Sequence, residues 1–202
     1  MEKIGLLAGA GKLPVECAKA AKLLGYEVYA VALLPETDAE LKNCTADCQS
    51  ISIAHLDAVL NYLKEHQVSK VTMIGKVTKE LLFSGKVQPD ARMLKLIMEL
   101  PDRKDDTIMM MFVRELAKAG IQAFDQTALI RRLMPHRGVI TKREPTPEER
   151  KDMEFGFRMA KEIGRLDVGQ TAVVKNMAVM ALEAIEGTDA CIRRGGELAR
   201  GG

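Results

Sequence analysis

Tryptophan is absent, and only 4 % of the residues are aromatic. Proteins that hold single-stranded nucleic acid stack its bases on aromatic rings, so this chain is poorly equipped for that task. Charge of one sign is lacking too: 30 Lys and Arg stand against 28 Asp and Glu, a net charge of +2. No basic field of the kind that binds a phosphate backbone follows from such a balance. The expectation is no nucleic-acid partner and no strongly electrostatic membrane anchor. Long hydrophobic runs are missing as well. The opening MEKIGLLAGAGKLPVE breaks its apolar stretch with glycines, unlike a signal peptide or a membrane span. The four cysteines, Cys17, Cys44, Cys48 and Cys191, form no CxxC pair and have no histidine at zinc-site spacing. Reduced thiols in a cytoplasmic protein are expected.

What is present is apolar bulk. Hydrophobic residues make up 47 % of the 202, enough to build a core and to exclude a disordered chain. Twelve of them are methionine. Methionine fills irregular gaps in cores, and it also lines walls that adapt to acyl chains.

The first half alternates strand and helix signals. Lys3 to Ala8 is a short apolar run that ends at glycines, as a buried parallel strand does. A helix is expected from Val15 to Leu24, stopped by Gly25, and then a second strand in GYEVYAVALLP. Strand, helix and parallel strand make a right-handed crossover. The pattern recurs: a strand near Ser50 to Ile53, a helix from Leu56 to Glu65, and a strand from Val71 to Ile74 ending at Gly75. Helices over Arg92 to Leu100 and Asp105 to Ala119 follow, then a short strand in IQAFD. Residues 1–132 read as a small α/β domain with a Rossmann-like parallel sheet.

MPHRGVITKREPTPEER interrupts all periodicity, and residues 133–146 read as a linker. Thr146 is placed to cap a helix that opens with Pro147, Glu148 and Glu149 and runs to Ile163. GQTAVVKNMAVMALEA reads as two strands turning at Lys175-Asn176, and a helix follows from Thr188. Residues 147–202 thus form a second, smaller α/β domain. A lone hairpin is weak, so more sheet is expected beyond residue 202.

Several positions could carry chemistry. Gly9 and Gly11, in GAGKLP, fall where a phosphate would meet the amides of a helix N-terminus. Pro14 stands where a dinucleotide fingerprint has its third glycine, so the loop suits a nucleotide, a phosphate or a plain tight turn. Lys76, after the strand that ends at Gly75, could reach a phosphate or be simply solvated. Asp105 and Asp106 could join a Mg²⁺ site or balance a helix dipole. Glu183, Glu186, Thr188, Asp189, Arg193 and Arg194 make the densest polar cluster in an apolar stretch. They could hold an anion at a helix start or merely cap it. Asp167 and Gln170 read as an ordinary turn.

Taken in order, GLLAGAGKLP, IGKVTKELLF, DDTIMMMFVRELAKAGI, GVITKREPTPEE and DVGQTAVVKNMAVMALEAIEGTDACIRR resemble the UDP-2,3-diacylglucosamine pyrophosphatases of the LpxI family. The resemblance runs over essentially the whole chain and is most specific in its last piece. It implies a Rossmann-like N-terminal domain and a distinct α/β C-terminal domain. It implies hydrolysis of UDP-2,3-diacylglucosamine at the α-phosphorus in lipid A synthesis, with UMP and lipid X as products, and Mg²⁺ or Mn²⁺ as cofactor. It further implies a homodimer, a substrate held between the domains with its acyl chains in an apolar cavity, and at most transient contact with the inner-membrane surface.

The family also carries a later motif of the type QDxRFDxPxxG, and this sequence contains no such string. The principal catalytic aspartate is therefore expected beyond residue 202, and this chain by itself is expected to be inactive or impaired as a hydrolase. Among the residues present, Glu183, Glu186 and Asp189 are the catalytic candidates, and Asp189 is also the metal candidate. Gly9, Gly11, Lys76, Thr188, Arg193 and Arg194 are the substrate-binding candidates. An NAD(P)-dependent oxidoreductase, with Glu36 or Asp38 on the ribose, is the alternative activity. A non-catalytic nucleotide- or lipid-binding module is a third reading.

Overall fold

The computed structural model describes residues 1–77, 87–102 and 104–200. The chain divides into two compact units, Met1–Pro135 and His136–Gly202.

The first unit is built on a five-stranded, wholly parallel sheet. Its strands are β1 (Glu2–Ala8), β2 (Tyr26–Ala32), β3 (Asp47–Ser50), β4 (Lys70–Ile74) and β5 (Gln122–Ala123), in the order β3-β2-β1-β4-β5. Central parallel strands are covered on both faces and so read as continuous apolar runs. β1 does so, buried from Ile4 to Ala8. Alternate residues then serve the two faces. Ile4, Leu6 and Ala8 pack with Val15, Ala18 and Ala21 of α1 (Leu13–Leu23). Leu7 and Val31 pack with Leu60 and Leu63 of α3 (Leu56–Glu65) on the other side. α3 lies so close to the sheet that a Cβ on Gly5 would stand 2.8 Å from Leu63 Cδ2.

Two further helices, α4 (Ala91–Glu99) and α5 (Asp105–Lys118), join that second face through Met93, Ile108, Phe112 and Leu116. Asp90 ties α4 to α3. One carboxylate oxygen caps α4 at the Met93 amide (2.7 Å) and the other accepts from the Asp57 amide (2.7 Å).

The third strand lies earlier than the Ser50–Ile53 run expected from sequence. Ile51 and Ile53 are apolar because they are buried in the loop that follows, whereas the strand itself is a polar edge, DCQS. The short helices α2 (Leu41–Cys44) and α6 (Gln126–Leu129) were not anticipated. Of the stretches singled out in sequence, Thr78–Phe83, Arg103, the side chains of Asp105 and Asp106, and Gly201–Gly202 lie outside the described residues.

In the second unit, α7 (Pro147–Arg165) is started by a reciprocal capping box. The Thr146 hydroxyl accepts from the Glu149 amide (3.2 Å), and the Glu149 carboxylate accepts from the Thr146 amide (2.8 Å). An antiparallel hairpin follows, β6 (Ala172–Lys175) and β7 (Ala178–Leu182). Its turn residues Asn176 and Met177 both have positive φ, the two-residue geometry that suits strand twist. Asp152 of α7 anchors that turn by accepting from both amides, at 2.7 and 2.6 Å. α8 (Thr188–Leu198) lies on the hairpin at Gly195, and α7 approaches Val174 at Gly156. Among the described residues no helix is long and apolar enough to cross a membrane.

Candidate functional site

Open α/β sheets bind ligands where strand order reverses, outside the carboxyl ends of the strands. Here that point lies between β1 and β4. The two loops leaving it are bonded to each other. The Gly9 amide donates to the Ile74 carbonyl (2.9 Å), the Ala10 amide to the Lys76 carbonyl (2.9 Å), and the Lys76 amide back to the Ala10 carbonyl (3.0 Å). This corrects the expectation for Gly9. Its amide serves the fold and is not available to a phosphate, and its lack of a side chain is needed because a Cβ would meet the Lys76 carbonyl oxygen at 2.7 Å.

Gly11 is different. It is exposed at φ +97°, pairs with Thr37 beside the start of α1, and has open space where a Cβ would be. The Lys76 side chain is exposed at the same end of the sheet.

The loop after β2 closes over this corner. The Thr37 hydroxyl donates to the Ala8 carbonyl (3.2 Å), and Lys12 pairs with Asp38 (2.8 Å). The Lys12 hydrogen bond holds the Asp38 carboxyl below its ordinary range. An acid engaged in this way is a poor partner for a ribose hydroxyl, and the amides of Gly9 and Ala10 are already used. The arrangement therefore lacks what a dinucleotide site requires.

Beside Gly75 the unit opens into an apolar cavity of about 180 Å³, with Leu7, Leu33, Val59, Met73, Ile108 and Phe112 among its walls. An apolar cavity of roughly 150 Å³ accommodates benzene, so this one has room for a short apolar group.

In the second unit the hairpin register sets Ala172 opposite Leu182. The residues just beyond that pair therefore meet. The Glu183 amide donates to the Thr171 carbonyl (2.9 Å), and the Glu183 side chain turns inward, 7 % exposed. Its carboxylate accepts from the Thr188 hydroxyl (3.1 Å) and the Gln170 amide (3.3 Å). The Thr171 hydroxyl lies 3.3 Å from that of Thr188. Hydrogen bonds from Thr171, then Thr188 and the Gln170 amide, hold the Glu183 carboxyl below its ordinary range against the cost of burial.

Helix α8 is preceded by Gly187 at φ +83°, so Thr188 is its first helical residue and its hydroxyl serves Glu183 instead of capping. Glu186 pairs with Arg194, whose guanidinium also donates to the Leu182 carbonyl at 2.8 Å. Glu186, a catalytic candidate in sequence, and Arg194, a substrate-binding candidate, are thus paired with each other. Arg193 and Asp189 are exposed. Sequence reasoning treated Gln170 as part of a plain turn and did not weigh Thr171. The register of a hairpin is the one signal that would have placed them beside Glu183.

No group of three His, Cys, Asp or Glu residues poised for a metal exists among the described residues. Mg²⁺ needs less, because one or two carboxylates suffice when phosphate oxygens complete the shell. Of the three catalytic candidates in the second unit, Glu183 and Glu186 are occupied by hydrogen bonds and an ion pair. Asp189, in the first turn of α8, is the donor that chemistry leaves.

The sequence profile of the LpxI N-terminal domain matches residues 3–133, and that of the LpxI C-terminal domain matches residues 136–202. The chain belongs to the LpxI family. A curated relative, UDP-2,3-diacylglucosamine pyrophosphatase LpxI of Caulobacter vibrioides, is 33 % identical over 201 residues, which span 98 % of this chain and 70 % of the relative. Solved structures resemble it more distantly. UDP-glucose 4-epimerase of Thermotoga maritima is 15 % identical at a TM-score of 0.40, over 59 % of this chain and 35 % of that one. N5-carboxyaminoimidazole synthetase of Staphylococcus aureus is 18 % identical at a TM-score of 0.33, over 59 % and 30 %. Membership of the LpxI family therefore rests on the sequence profiles and the Caulobacter relative.

Proposed function

We propose that this chain acts on UDP-2,3-diacylglucosamine, in the hydrolysis of its pyrophosphate bond to UMP and 2,3-diacylglucosamine 1-phosphate. The observation that carries the reading is the correspondence of nearly its whole length with a pyrophosphatase of that specificity. The apolar cavity beside Gly75 supports it, because the substrate carries hydrocarbon.

Water adds to the α-phosphorus, the bond from that phosphorus to the bridging oxygen breaks, and the bridging oxygen leaves with the sugar phosphate. The added oxygen stays on UMP. In this reading the Gly11 loop and the start of α1 take nucleotide phosphate in the first unit, where the exposed Lys76 adds positive charge; in the second unit Arg193 is an exposed cation. Asp189 would hold Mg²⁺ or Mn²⁺, which supplies charge neutralisation at the phosphates when bound. Arg194 orders Glu186 and the Leu182 carbonyl, so it shapes the turn that leads into α8.

The test is direct. The chain is incubated with UDP-2,3-diacylglucosamine and Mg²⁺ in ¹⁸O-water, and binding is followed in parallel by calorimetry. Binding of the nucleotide lipid, with any label appearing in UMP, supports the proposal. A chain that neither binds nor turns over this compound would refute it.

A further inference from the structure

The hydroxyls of Thr171 and Thr188 share a property that their sequence positions hide. A carboxylate can only accept hydrogen bonds, whereas a hydroxyl has one hydrogen to give and two lone pairs. Glu183 is buried, and its oxygens lie against the Thr188 hydroxyl and the Gln170 amide. The Thr171 hydroxyl is directed at Thr188 (3.3 Å) or at the same carboxylate. In either arrangement both hydroxyl hydrogens are spent inside the cluster, and what remains facing outward is lone pairs. Thr188 is exposed. Thr171 is half-buried at a groove that continues over Met153, Phe157, Val173 and Ile192.

We propose that Glu183 is a positioning residue that presents Thr171 and Thr188 as a pair of hydrogen-bond acceptors, so that this corner recognises donors. Phosphate oxygens are acceptors and find no hydroxyl hydrogen to accept from at these two threonines. On the substrate of the proposed function, on which this inference rests, the donors are the sugar hydroxyls and the amide N–H that carries an acyl chain. The amide N–H that carries an acyl chain suits Thr171, which lines a groove whose walls combine Met153, Phe157, Val173 and Ile192 with charged side chains such as Arg150 and Asp152. Thr188 was expected in sequence to bind substrate, and this role names the kind of group it would meet.

The experiment follows the threonine methyl resonances of the whole chain by NMR during titration with three probes. These are N-butyrylglucosamine, which has hydroxyls and an amide but no phosphate, inorganic phosphate, and MgCl₂. The expected result is that the sugar moves the Thr171 and Thr188 methyls in EDTA and phosphate does not. MgCl₂ maps the shifts that an ion on the neighbouring Asp189 would cause, which is why the sugar titration is made in EDTA. Thr171→Ser and Thr188→Ser should bind like the parent. Thr188→Val and Glu183→Gln should each weaken the sugar about tenfold, and Thr188→Val should cost little more in the Glu183→Gln background.

That non-additivity separates orientation from a merely structural role, and Thr188→Val read against Thr188→Ser keeps the test valid if Glu183→Gln unfolds. No movement with the sugar, whatever phosphate does, or full additivity of the two changes overturns the inference. Turnover of UDP-2,3-diacylglucosamine without sugar response overturns this inference alone. Sugar response without binding or turnover of that lipid overturns the proposed function and leaves the acceptor face standing.

Discussion

Gly9 and Gly75 meet backbone to backbone. A Cβ on Gly75 would lie 2.9 Å from the N, Cα and carbonyl carbon of Gly9, and one on Gly9 would lie 2.8 Å from the carbonyl carbon of Gly75. The two glycines close the point at which strand order reverses, the place where related sheets usually keep a crevice. In the proposed reading the backbone that meets a ligand in this unit is therefore displaced along the chain, to Gly11 and the start of α1.

Substitution separates these two roles. Gly9→Ala must push backbone away from backbone, and overpacking of that kind costs about 1–3 kcal/mol or more. Gly11→Ala meets nothing, but its φ of +97° is unfavourable for a residue with a side chain, at about 1–2 kcal/mol. Urea titrations of both variants should show Gly9→Ala to be the less stable. Calorimetry at a temperature where both variants are folded should show that only Gly11→Ala weakens UMP binding. Equal stability losses would contradict the assignment.

Gly195 and Gly196 are neighbours in α8 with opposite expectations. A Cβ on Gly195 would sit 2.5 Å from the Cβ of Val173, while one on Gly196 meets open space. Helix propensity alone favours alanine over glycine by about 1 kcal/mol. Gly196→Ala should therefore raise the melting temperature, and Gly195→Ala should lower it by driving α8 off the hairpin. A rise for both would mean that α8 does not pack on Val173.

Legibility in the sequence followed locality. β1 and β4 were readable because strands at the centre of a parallel sheet are apolar on both faces, and the α7 start was readable because Thr146 and Glu149 are three residues apart. The β3 edge was misplaced because its polar residues carry less hydrophobic signal than the buried loop residues Ile51 and Ile53 beside it. At the candidate sites the missing knowledge was all non-local. Gly9 is engaged by Ile74, and Thr171 is joined to Glu183 and Thr188 by the hairpin register. The motif residues were visible, but whether each faces a ligand or another part of the chain was not.

The thiols should react in order of burial. Cys17 and Cys191 are fully buried, and burial pushes the Cys17 thiol up to about 11. Cys48 is half-buried, and its thiol is also raised by burial. The reactive species is the thiolate, so dithionitrobenzoate at pH 8 should modify Cys48 first and reach Cys17 and Cys191 only on denaturation. Peptide mapping after partial labelling gives the order. Fast modification of native Cys17 would show that α1 is not seated on the sheet.

The start of α7 should loosen in acid. The Arg143 side chain pairs with Glu149 at 2.6 and 2.7 Å, and that hydrogen bond, then the Thr146 amide, lowers the Glu149 carboxyl from 4.5 to about 2. The sign follows from linkage: with the folded value below the unfolded one, the folded state favours the ionised form. The stabilisation is fully present above about pH 4.5 and is lost as the pH falls towards 2. Glu149→Gln keeps the shape but removes the charge. Its melting temperature should lie below the parent's at pH 6, and the two should converge near the bottom of the window. Glu149 is on the surface, so added salt should shrink the pH 6 difference. A difference that stays constant from pH 6 to pH 2 would mean that the carboxylate charge contributes nothing to the cap.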